Sequence, residues 1–479
     1  MSAAGALLTT GVVVAAGPGW VCGLLLDPHA AVARAPAAVR AAIRLIKRLL
    51  MRLRMVARRP PSHRYTRHEM ALVVQKYGGT SVADADRIRN VAGRVAAAHQ
   101  AGKNVVVVVS AMGDTTDRLV RLASEVSGND HPRELDMLLT AGERVAMALC
   151  AMALRDLGIS ALSLTGSQAG ILTTAAHGAA EIVDIQAFRV KEGLEAGKVV
   201  IVAGFQGVDP TSKEVTTLGR GGSDATAVAL AAALQADECE IYTDVDGVFT
   251  ADPRLVATAV KLDEITYQEM LELAGAGAGV LMPRAVEFGR RYNVPIHVRS
   301  AFHSGPGTLV KEKTLEEPIV RGVAHDTSAA KVTIHGVPDK PGLAAAIFEP
   351  LAKAGINVDM IVQNVSIEGV TDISFTVPEQ QINRAKQVAE STALEVGAFS
   401  VDFDTDIAKI TLVGAGMKSE SGVAAKMFRV LSTHGINIEM ISTSQIRISC
   451  IVGGRDVDAA VSGLHDAFAI GSSASEATP

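Results

Sequence analysis

Runs of β-branched residues that alternate with amphipathic helical patterns constrain the fold of this chain most strongly. Three such runs lie at Val105–Ser110, Val199–Phe205 and Glu240–Phe249. Continuous apolar strands of this kind are typical of parallel sheets that are buried on both faces. Helical patterns lie between the runs, at about 116–127, 134–156, 184–196, 223–236 and 264–274. The alternation predicts an α/β domain whose mainly parallel sheet is covered by helices on both faces.

Composition excludes several classes of protein. The chain has 479 residues, enough for about two to four domains. Its net charge of −5 and aromatic content of 4% argue against nucleic-acid binding, which requires a basic face. The four cysteines, Cys22, Cys150, Cys239 and Cys450, are far apart and form no CxxC motif. We therefore expect neither a zinc site nor a disulfide framework, and we expect a reduced, cytoplasmic location.

The first 69 residues differ in kind from the rest. The apolar stretch Ala6–Leu26 is broken by Gly17-Pro18-Gly19, and residues 28–68 carry basic side chains and no acid. One interpretation is a membrane anchor with a positive flank, and another is an Arg-rich targeting peptide. We prefer a third, an extension that does not fold, with Met70 as the functional start, because regular patterning begins there. A membrane location is therefore not expected.

The stretch Val73–Ser81, VVQKYGGTS, has the properties of a phosphate-binding turn. A short buried strand ends in Lys76, and Gly78 and Gly79 follow before a helical pattern begins at Asp84. Paired glycines allow a ligand to approach the backbone, and the amides of the turn and of the helix N-terminus attract anions. Lys76 adds a full positive charge. The alternative is an ordinary strand–turn–helix with an incidental lysine, and the stretch is not a Walker A loop.

Three more polar clusters follow predicted strands, where ligands of parallel sheets bind. They are Ser110–Asp117, Leu218–Thr226 and Tyr242–Arg254. In the second, Arg220 could hold a carboxylate in a bidentate fork, and Asp224 could orient a lysine or hold a metal. The alternative there is N-capping by Ser223 or Asp224, and the third cluster alone could be a simple hairpin or loop.

The C-terminal part contains an internal repeat. Gly355–Ile361 (GINVDMI) and Gly435–Ile441 (GINIEMI) lie 80 residues apart, and Lys331–Ile334 matches Lys409–Leu412 upstream. Each unit is predicted as strand, turn, helix, strand, strand and helix, a small α+β domain that occurs twice. Two such units could pack against each other or across a dimer axis.

Six motifs in order, KYGGTS, SAMGDTTD, LTAGERV, TGSQAG, LGRGGSDATA and YTDVDGVFTADPR, resemble those of the aspartate kinases. The resemblance runs from Met70 to about Ala469 and is strongest for the lysine- and threonine-regulated bacterial type. It implies the three-layer αβα sandwich of the amino-acid-kinase fold followed by two ACT domains. The implied boundaries are 70–310 for the catalytic domain, 311–327 for a linker, 328–403 and 404–470 for the ACT domains, and 471–479 for a disordered tail.

The resemblance implies phosphorylation of the side-chain carboxylate of L-aspartate by ATP with Mg²⁺, giving 4-phospho-L-aspartate for lysine, methionine and threonine biosynthesis. It assigns catalysis to Lys76, Arg220 and Asp224. Nucleotide contacts fall to Lys76, Gly78, Gly79, Ser110, Ser223, Thr243, Asp244, Phe249, Asp252, Pro253 and Arg254. Substrate contacts fall to Thr116, Glu143, Arg220, Gly221, Gly222 and Ser223, with Glu143 on the ammonium. No residue is assigned as a dedicated metal ligand.

For the repeats, the resemblance implies feedback by lysine, threonine or both, in a homodimer or tetramer. The implied effector residues are Asp339, Lys340, Pro341, Gly342, Asn357, Asp359 and Gln363, with Asn437, Ile438, Ser442 and Thr443 on the partner surface. Asp359 could hold an ammonium group. Alternatively, Asn357 and Asp359 could serve only to cap strand ends.

One departure from the family pattern leaves a second function open. Where GAKVLHPR is expected, the chain reads GAGVLMPR, so Gly279 replaces a lysine that would bind phosphate. The alternative is therefore a catalytically weak, amino-acid-binding regulatory subunit. A third hypothesis is a kinase of the same fold that acts on glutamate or a nucleotide, against which GRGGSD and the repeat argue.

Overall fold

The structure, a computed structural model, describes residues 71–314, 318–364, 369–418 and 420–470. The predicted N-terminal extension, residues 1–69, and the predicted tail, residues 471–479, lie outside the described residues.

An eight-stranded sheet is the centre of the first part of the chain. Its strands are β1 (Leu72–Tyr77), β2 (Asn104–Val109), β3 (Ala161–Leu164), β6 (Val199–Ala203), β9 (Glu238–Thr243), β10 (Glu264–Thr266), β11 (Ile296–Ser300) and β12 (Thr308–Lys311). They lie in the order β10-β12-β11-β9-β1-β2-β6-β3, and only β11 and β12 pair antiparallel. The prediction of a mainly parallel sheet is confirmed.

Helices cover both faces of this sheet. They are α1 (Ala85–Gln100), α2 (Thr115–Val126), α3 (Pro132–Asp156), α4 (Phe188–Glu195), α5 (Gly222–Leu234), α6 (Tyr267–Gly275) and α7 (Pro283–Tyr292). Alternate residues of β2 point to opposite faces: Val107 packs in a core with α1 and α3, and Val108 packs in a core with α5. This two-sided burial explains why β2 is an unbroken run of valines, and it confirms the αβα sandwich.

Helix α3 is long and apolar enough to cross a membrane, judged by length and composition alone. One face of it, including Ala146, Cys150 and Leu154, is buried in the core against the sheet. The core helix of a globular domain passes the same test, so the helix gives only weak support for a membrane span.

A small second sheet lies beside the main one. Its strands are β4 (Ile171–Thr173), β5 (Ile182–Ile185), β7 (Gln206–Val208) and β8 (Val215–Thr217), in the order β5-β4-β7-β8. The prediction of a helix over 184–196 was wrong in its first residues, which belong to β5. Helix α4 begins only at Phe188, after Ala187 adopts a left-handed conformation with φ of 52°.

The repeat forms two similar α+β units, as predicted. The first contains β14 (Ala329–Pro338), α8 (Leu343–Lys353), β15 (Ile361–Gln363), β16 (Val370–Pro378), α9 (Ile382–Val396) and β17 (Ser400–Asp404). The second contains β18 (Ile407–Val413), α10 (Val423–Thr433), β19 (Met440–Thr443), β20 (Arg447–Gly453) and α11 (Val457–Ala467). Each unit has one antiparallel sheet, in the orders β15-β16-β14-β17 and β19-β20-β18-β13, where β13 is Gly322–Asp326.

The fourth strand of the second sheet comes from upstream of both repeats. Strand β13 (Gly322–Asp326) lies in the stretch predicted as a linker and pairs antiparallel with β18. In the first unit the equivalent place is taken by β17, which pairs with β14. The first unit is therefore inserted between β13 and the rest of the second unit. The domain boundaries given above stay predictions.

Candidate active site and effector residues

Lys76 and Asp224 form an ion pair where β1 meets the start of α5. The Lys76 Nζ atom lies 2.5 Å from an Asp224 carboxylate oxygen, and the side chains are 12% and 10% exposed. Lys76 lies near the carboxyl end of the central strand, and Asp224 is in the first turn of α5. The carboxylate holds the ammonium group in place at the edge where parallel sheets bind ligands.

The glycine turn after β1 packs closely on the next strand end. A Cβ atom built on Gly79 would lie 3.0 Å from the carbonyl oxygens of both Ala111 and Gly113. The Gly113 amide donates to the Gly79 carbonyl, and the Ser110 amide donates to the Tyr77 carbonyl. The glycine turn and the Ser110–Asp117 cluster therefore meet, and a side chain at Gly79 would push them apart.

Glu143 is a buried carboxyl group beside this turn. It lies on α3, is 3% exposed, and accepts a hydrogen bond from the Ala111 amide at 3.2 Å. Its other oxygen is buried and has no hydrogen-bond partner among the described residues. Burial raises the pKa of Glu143 to about 7. An incoming ammonium group would provide the missing partner. Thr116 lies in the first turn of α2.

The loop before α5 is shaped by Gly221 and Met282. Gly221 has φ of +69°, and a Cβ atom there would lie 1.9 Å from Met282 Cγ. Gly221 is also the N-cap of α5, with no side-chain capping bond, so capping by Ser223 or Asp224 is not observed. Arg220 is exposed, whereas Gly222 and Ser223 are buried. The loop thus leaves the Arg220 guanidinium available to an anion.

The third cluster begins at the end of β9, next to β1. The Thr243 hydroxyl donates to Asp244, and Phe249 forms an isolated bridge with Lys261. Arg254 lies 2.6 Å from Asp252 in a forked ion pair, and this hydrogen bonding lowers the pKa of Asp252. Pro253 and Arg254 are exposed. An exposed arginine is suited to binding the phosphates of a nucleotide.

Sequence reasoning missed Asp136, which organises the neighbouring loop. Asp136 is 1% exposed and accepts hydrogen bonds from the Thr217 hydroxyl and the Gly178 amide, and it pairs with His177 at 2.7 Å. It thereby joins the loop that contains His177 to the strand that leads into Arg220. Its spacing of two helical turns from Glu143 on α3 was the available signal.

The departure at Gly279 leaves open space. No heavy atom lies within 4 Å of a Cβ built there, and its φ is not in the left-handed range. Arg284, a conceivable substitute for the missing lysine, donates instead to the carbonyl oxygens of Leu218 and Ala180. Arg284 therefore braces the Arg220 loop.

The donor set suits a nucleotide phosphate more than a bare metal ion. Lys76 and the Gly79 amide are donors, and the Asp224 carboxylate is already paired with Lys76. Mg²⁺ commonly binds through substrate phosphates with one or two protein carboxylates, so it fits this edge as a partner of phosphate.

The predicted effector residues of the first repeat lie on two elements. Asp339, Lys340, Pro341 and Gly342 precede α8, and Asn357, Asp359 and Gln363 lie in the loop and strand after it. Asp359 does not simply cap a strand end, because its carboxylate lies 2.7 Å from the Lys409 ammonium group.

The effector residues predicted for the partner surface lie in the second repeat. Asn437 and Ile438 line an open depression whose other lining residues are Phe428, Ser432, Gly435 and Ile436. Ser442 and Thr443 are in β19, at the edge of its sheet. The depression is lined by residues of the second repeat, so within one chain it does not include the residues of the first.

Comparisons with known proteins identify the families of the two parts of the chain. The model of the amino acid kinase family matches residues 71–300, and the ACT domain model matches residues 332–392 and 410–468. An aspartokinase of Mycolicibacterium smegmatis is 56% identical over 408 residues, covering 84% of this chain and 97% of that protein.

Solved structures are similar over most of the chain. E. coli aspartokinase III in complex with aspartate and ADP, in its R-state, has 28% sequence identity and a TM-score of 0.71, covering 83% of this chain and 99% of that one. The same enzyme with lysine and aspartate, in its T-state, has 29% identity and a TM-score of 0.65, with the same coverage of 83% and 99%.

Proposed function

Because the chain belongs to the aspartokinase family, we propose that it transfers the terminal phosphoryl group of ATP to the side-chain carboxylate of L-aspartate. The product is 4-phospho-L-aspartate, the first intermediate toward lysine, methionine and threonine. The observation that carries the assignment of the site is the Lys76–Asp224 pair, 2.5 Å long, at the carboxyl edge of the parallel sheet.

The chemistry requires positioning and charge neutralisation more than proton transfer. An oxygen of the substrate carboxylate attacks the γ-phosphorus, the bond from phosphorus to the bridging oxygen breaks, and ADP leaves. The nucleophile is already ionised at neutral pH, so no general base is needed. Lys76 and the Gly79 amide neutralise the charge on the transferred group, and Gly78, whose amide donates to the Tyr242 carbonyl oxygen, lets the group approach the backbone. Asp224 keeps the Lys76 ammonium at the reacting position.

Substrate binding would use Glu143 and Arg220. Glu143 has a buried oxygen with no partner among the described residues, and it would hold the substrate ammonium. The exposed guanidinium of Arg220 would take a substrate carboxylate in a bidentate fork. Thr116, Gly221, Gly222 and Ser223 would line the pocket between them.

The nucleotide would lie across the ends of β1, β2 and β9. Ser110, Ser223, Thr243, Asp244, Phe249, Asp252, Pro253 and Arg254 are the proposed contacts. E. coli aspartokinase III binds ADP and aspartate together, which supports ATP as the donor. Mg²⁺ would be held mainly by phosphate oxygens and would supply positive charge at the β- and γ-phosphates.

Regulation is proposed through the ACT domains, with lysine, threonine or both as effectors. The lysine complex of E. coli aspartokinase III supports lysine. Effector binding and substrate binding must influence each other reciprocally. We further propose a cytoplasmic homodimer or tetramer, in which Asn437, Ile438, Ser442 and Thr443 of one copy complete the effector site of the other.

The two rival functions are less well supported. The comparisons do not favour a catalytically weak regulatory subunit, because this chain matches the amino acid kinase model as well as the ACT model and covers 97% of the aspartokinase of Mycolicibacterium smegmatis. The remaining alternative is a kinase of the same fold that acts on glutamate or a nucleotide. Assaying a panel of substrates that includes both would distinguish it from an aspartate kinase.

The decisive experiment traps aspartyl phosphate with hydroxylamine. We expect ATP- and aspartate-dependent hydroxamate from the wild-type chain and a loss of about 10²-fold or more in Lys76→Met. The matched control is Lys103→Met, at the opposite end of the sheet, which should behave as wild type. No hydroxamate from wild type, or equal rates for the two variants, would overturn the proposal.

A further inference from the structure

A buried hydrogen bond joins the third cluster to the last helix of the chain. The Thr250 hydroxyl oxygen lies 2.9 Å from His465 Nε2 on α11. Thr250 is 1% exposed and His465 is 3% exposed. Two residues 215 positions apart in the sequence thus share one buried polar contact, and such contacts are costly to leave unpaired.

Every polar atom of Thr250 is engaged. Its amide donates to the Val260 carbonyl, and its carbonyl accepts from the Val323 amide in β13. Its hydroxyl accepts from the Val260 amide at 2.9 Å, which leaves the hydroxyl proton available for His465 Nε2. Thr250 is therefore fixed in position. Its side chain is held from within the kinase domain by the Val260 amide and from outside it by His465.

Apolar packing surrounds this hydrogen bond. Ala251 and Val256, on either side of the Asp252–Arg254 ion pair, are buried in one core with Val461 and Leu464 of α11. The segment that carries the proposed nucleotide contacts thus rests on the second ACT domain, although it belongs in sequence to the kinase domain.

The burial of His465 favours a neutral ring. Removal from solvent lowers the pKa of His465, and Asp466, whose carboxylate is 3.9 Å from Nδ1, opposes this effect. A neutral imidazole can accept the Thr250 proton at Nε2, so the ring is chemically matched to this position.

We propose that His465 is a positioning residue for the nucleotide: it holds Thr250, and through it the Asp252–Arg254 ion pair, in the arrangement that binds ATP. This inference rests on the proposed function. It follows that the second ACT domain is part of the nucleotide site's support and that its last helix affects ATP affinity without touching ATP.

The test compares variants of the full-length protein by their affinity for ADP, measured by calorimetry, and by KM for each substrate. Thr250→Val removes one hydroxyl at nearly constant volume, and His465→Leu removes the ring nitrogens. We expect each to raise the ADP dissociation constant and KM for ATP about three- to tenfold, with KM for aspartate within about twofold of wild type. Thr250→Ser, which restores the hydroxyl, should recover wild-type binding.

The matched control is His434→Gln, an exposed histidine of the same domain, which should leave both KM values unchanged. Equal effects on both substrates in Thr250→Val, or no recovery in Thr250→Ser, would indicate general destabilisation and overturn the inference. If His465→Leu does not fold, Thr250→Val decides. If ADP affinity is unchanged in Thr250→Val but weakened in Arg254→Ala, the inference is wrong and the proposed function stands. If the wild-type protein does not bind ADP, the proposed function itself is wrong.

Discussion

The ammonium group of Lys409 lies 2.7 Å from the carboxylate of Asp359 and 3.3 Å from the carbonyl oxygen of Gly275. One buried cation therefore joins the second repeat, the first repeat and the C-terminus of α6 in the kinase domain. At the repeat-equivalent position, Lys331 pairs with Glu439 of the second repeat. The two ion pairs are reciprocal, since each repeat supplies one lysine and one acid.

The same pseudo-twofold relationship organises the apolar contact between the repeats. Met360 and Met440, which follow the two acids, pack in one small core with Ile407 and Ile451. Only the Lys409 pair also reaches the kinase domain through Gly275. The symmetry is broken at the point where an effector bound at Asp359 could influence the catalytic part.

We predict that Lys409→Met weakens feedback inhibition without weakening effector binding. The substitution leaves Asp359 available to an effector ammonium but removes the link to the C-terminus of α6. The affinity for the proposed effectors, lysine and threonine, measured by calorimetry, should be unchanged or tighter, while the effector concentration for half-inhibition rises about fivefold or more. Lys331→Met is the control, and an equal loss of inhibition in both variants would contradict the prediction.

Gly279→Lys should increase turnover. The position has open space and an ordinary backbone conformation, so a lysine can be accommodated without displacement. Because the family pattern has a phosphate-binding lysine at this position, an added cation there should raise kcat about tenfold or more, by analogy with single donors that stabilise a transition state. Hydroxamate formation measures it, with Gly279→Ala as the uncharged control. A similar rate in both variants would show that this position does not reach the phosphate.

Gly221→Ala should destabilise the protein and reduce its activity. The alanine would have to adopt a φ of +69° and would meet Met282 at 1.9 Å. We expect a loss of about 2–4 kcal/mol in the free energy of unfolding, combining backbone strain and overpacking. Gly102→Ala is matched, because its φ is +84° but no atom lies within 4 Å. In chemical denaturation, Gly102→Ala should lose only the contribution from backbone strain, about 1 kcal/mol in the free energy of unfolding. Equal losses in the two variants would argue against the steric contact with Met282.

The protonation of Glu143 should make both binding and stability depend on pH. Burial raises its pKa to about 7 from an unfolded value of 4.5, so the folded state binds more protons. The stabilising contribution is complete below pH 4.5 and is lost as the pH rises through 7, by up to about 3 kcal/mol. Glu143→Gln should therefore be more stable than wild type at pH 8, and its advantage over wild type should be smaller at pH 5.

Aspartate binding should show the opposite trend, because its ammonium group pairs with the carboxylate. In wild type, KM for aspartate should fall as the pH rises from 6 to 8, and this dependence should vanish in Glu143→Gln. Glu125→Gln, on the exposed part of α2, serves as the control. An unchanged pH profile in Glu143→Gln would exclude this residue as the ammonium ligand.

Local pattern in the chain was enough to predict the parallel sheet, the position of Lys76 at a strand end, and the two α+β repeats. These features follow from burial and backbone conformation over a few neighbouring residues, which periodicity and glycine placement report directly. The pattern was least informative at 184–196, where β5 and α4 share one short amphipathic stretch.

Only the three-dimensional arrangement established the contacts between distant parts of the chain. Three such contacts join residues far apart in sequence: the pairing of β13 with β18 of the second repeat, the ion pair of Asp359 with Lys409, and the hydrogen bond from Thr250 to His465. Such contacts leave no local periodicity, because a buried polar group can be satisfied by any partner that the fold brings within hydrogen-bonding distance. The choice among possible partners depends on how the sheets and helices pack.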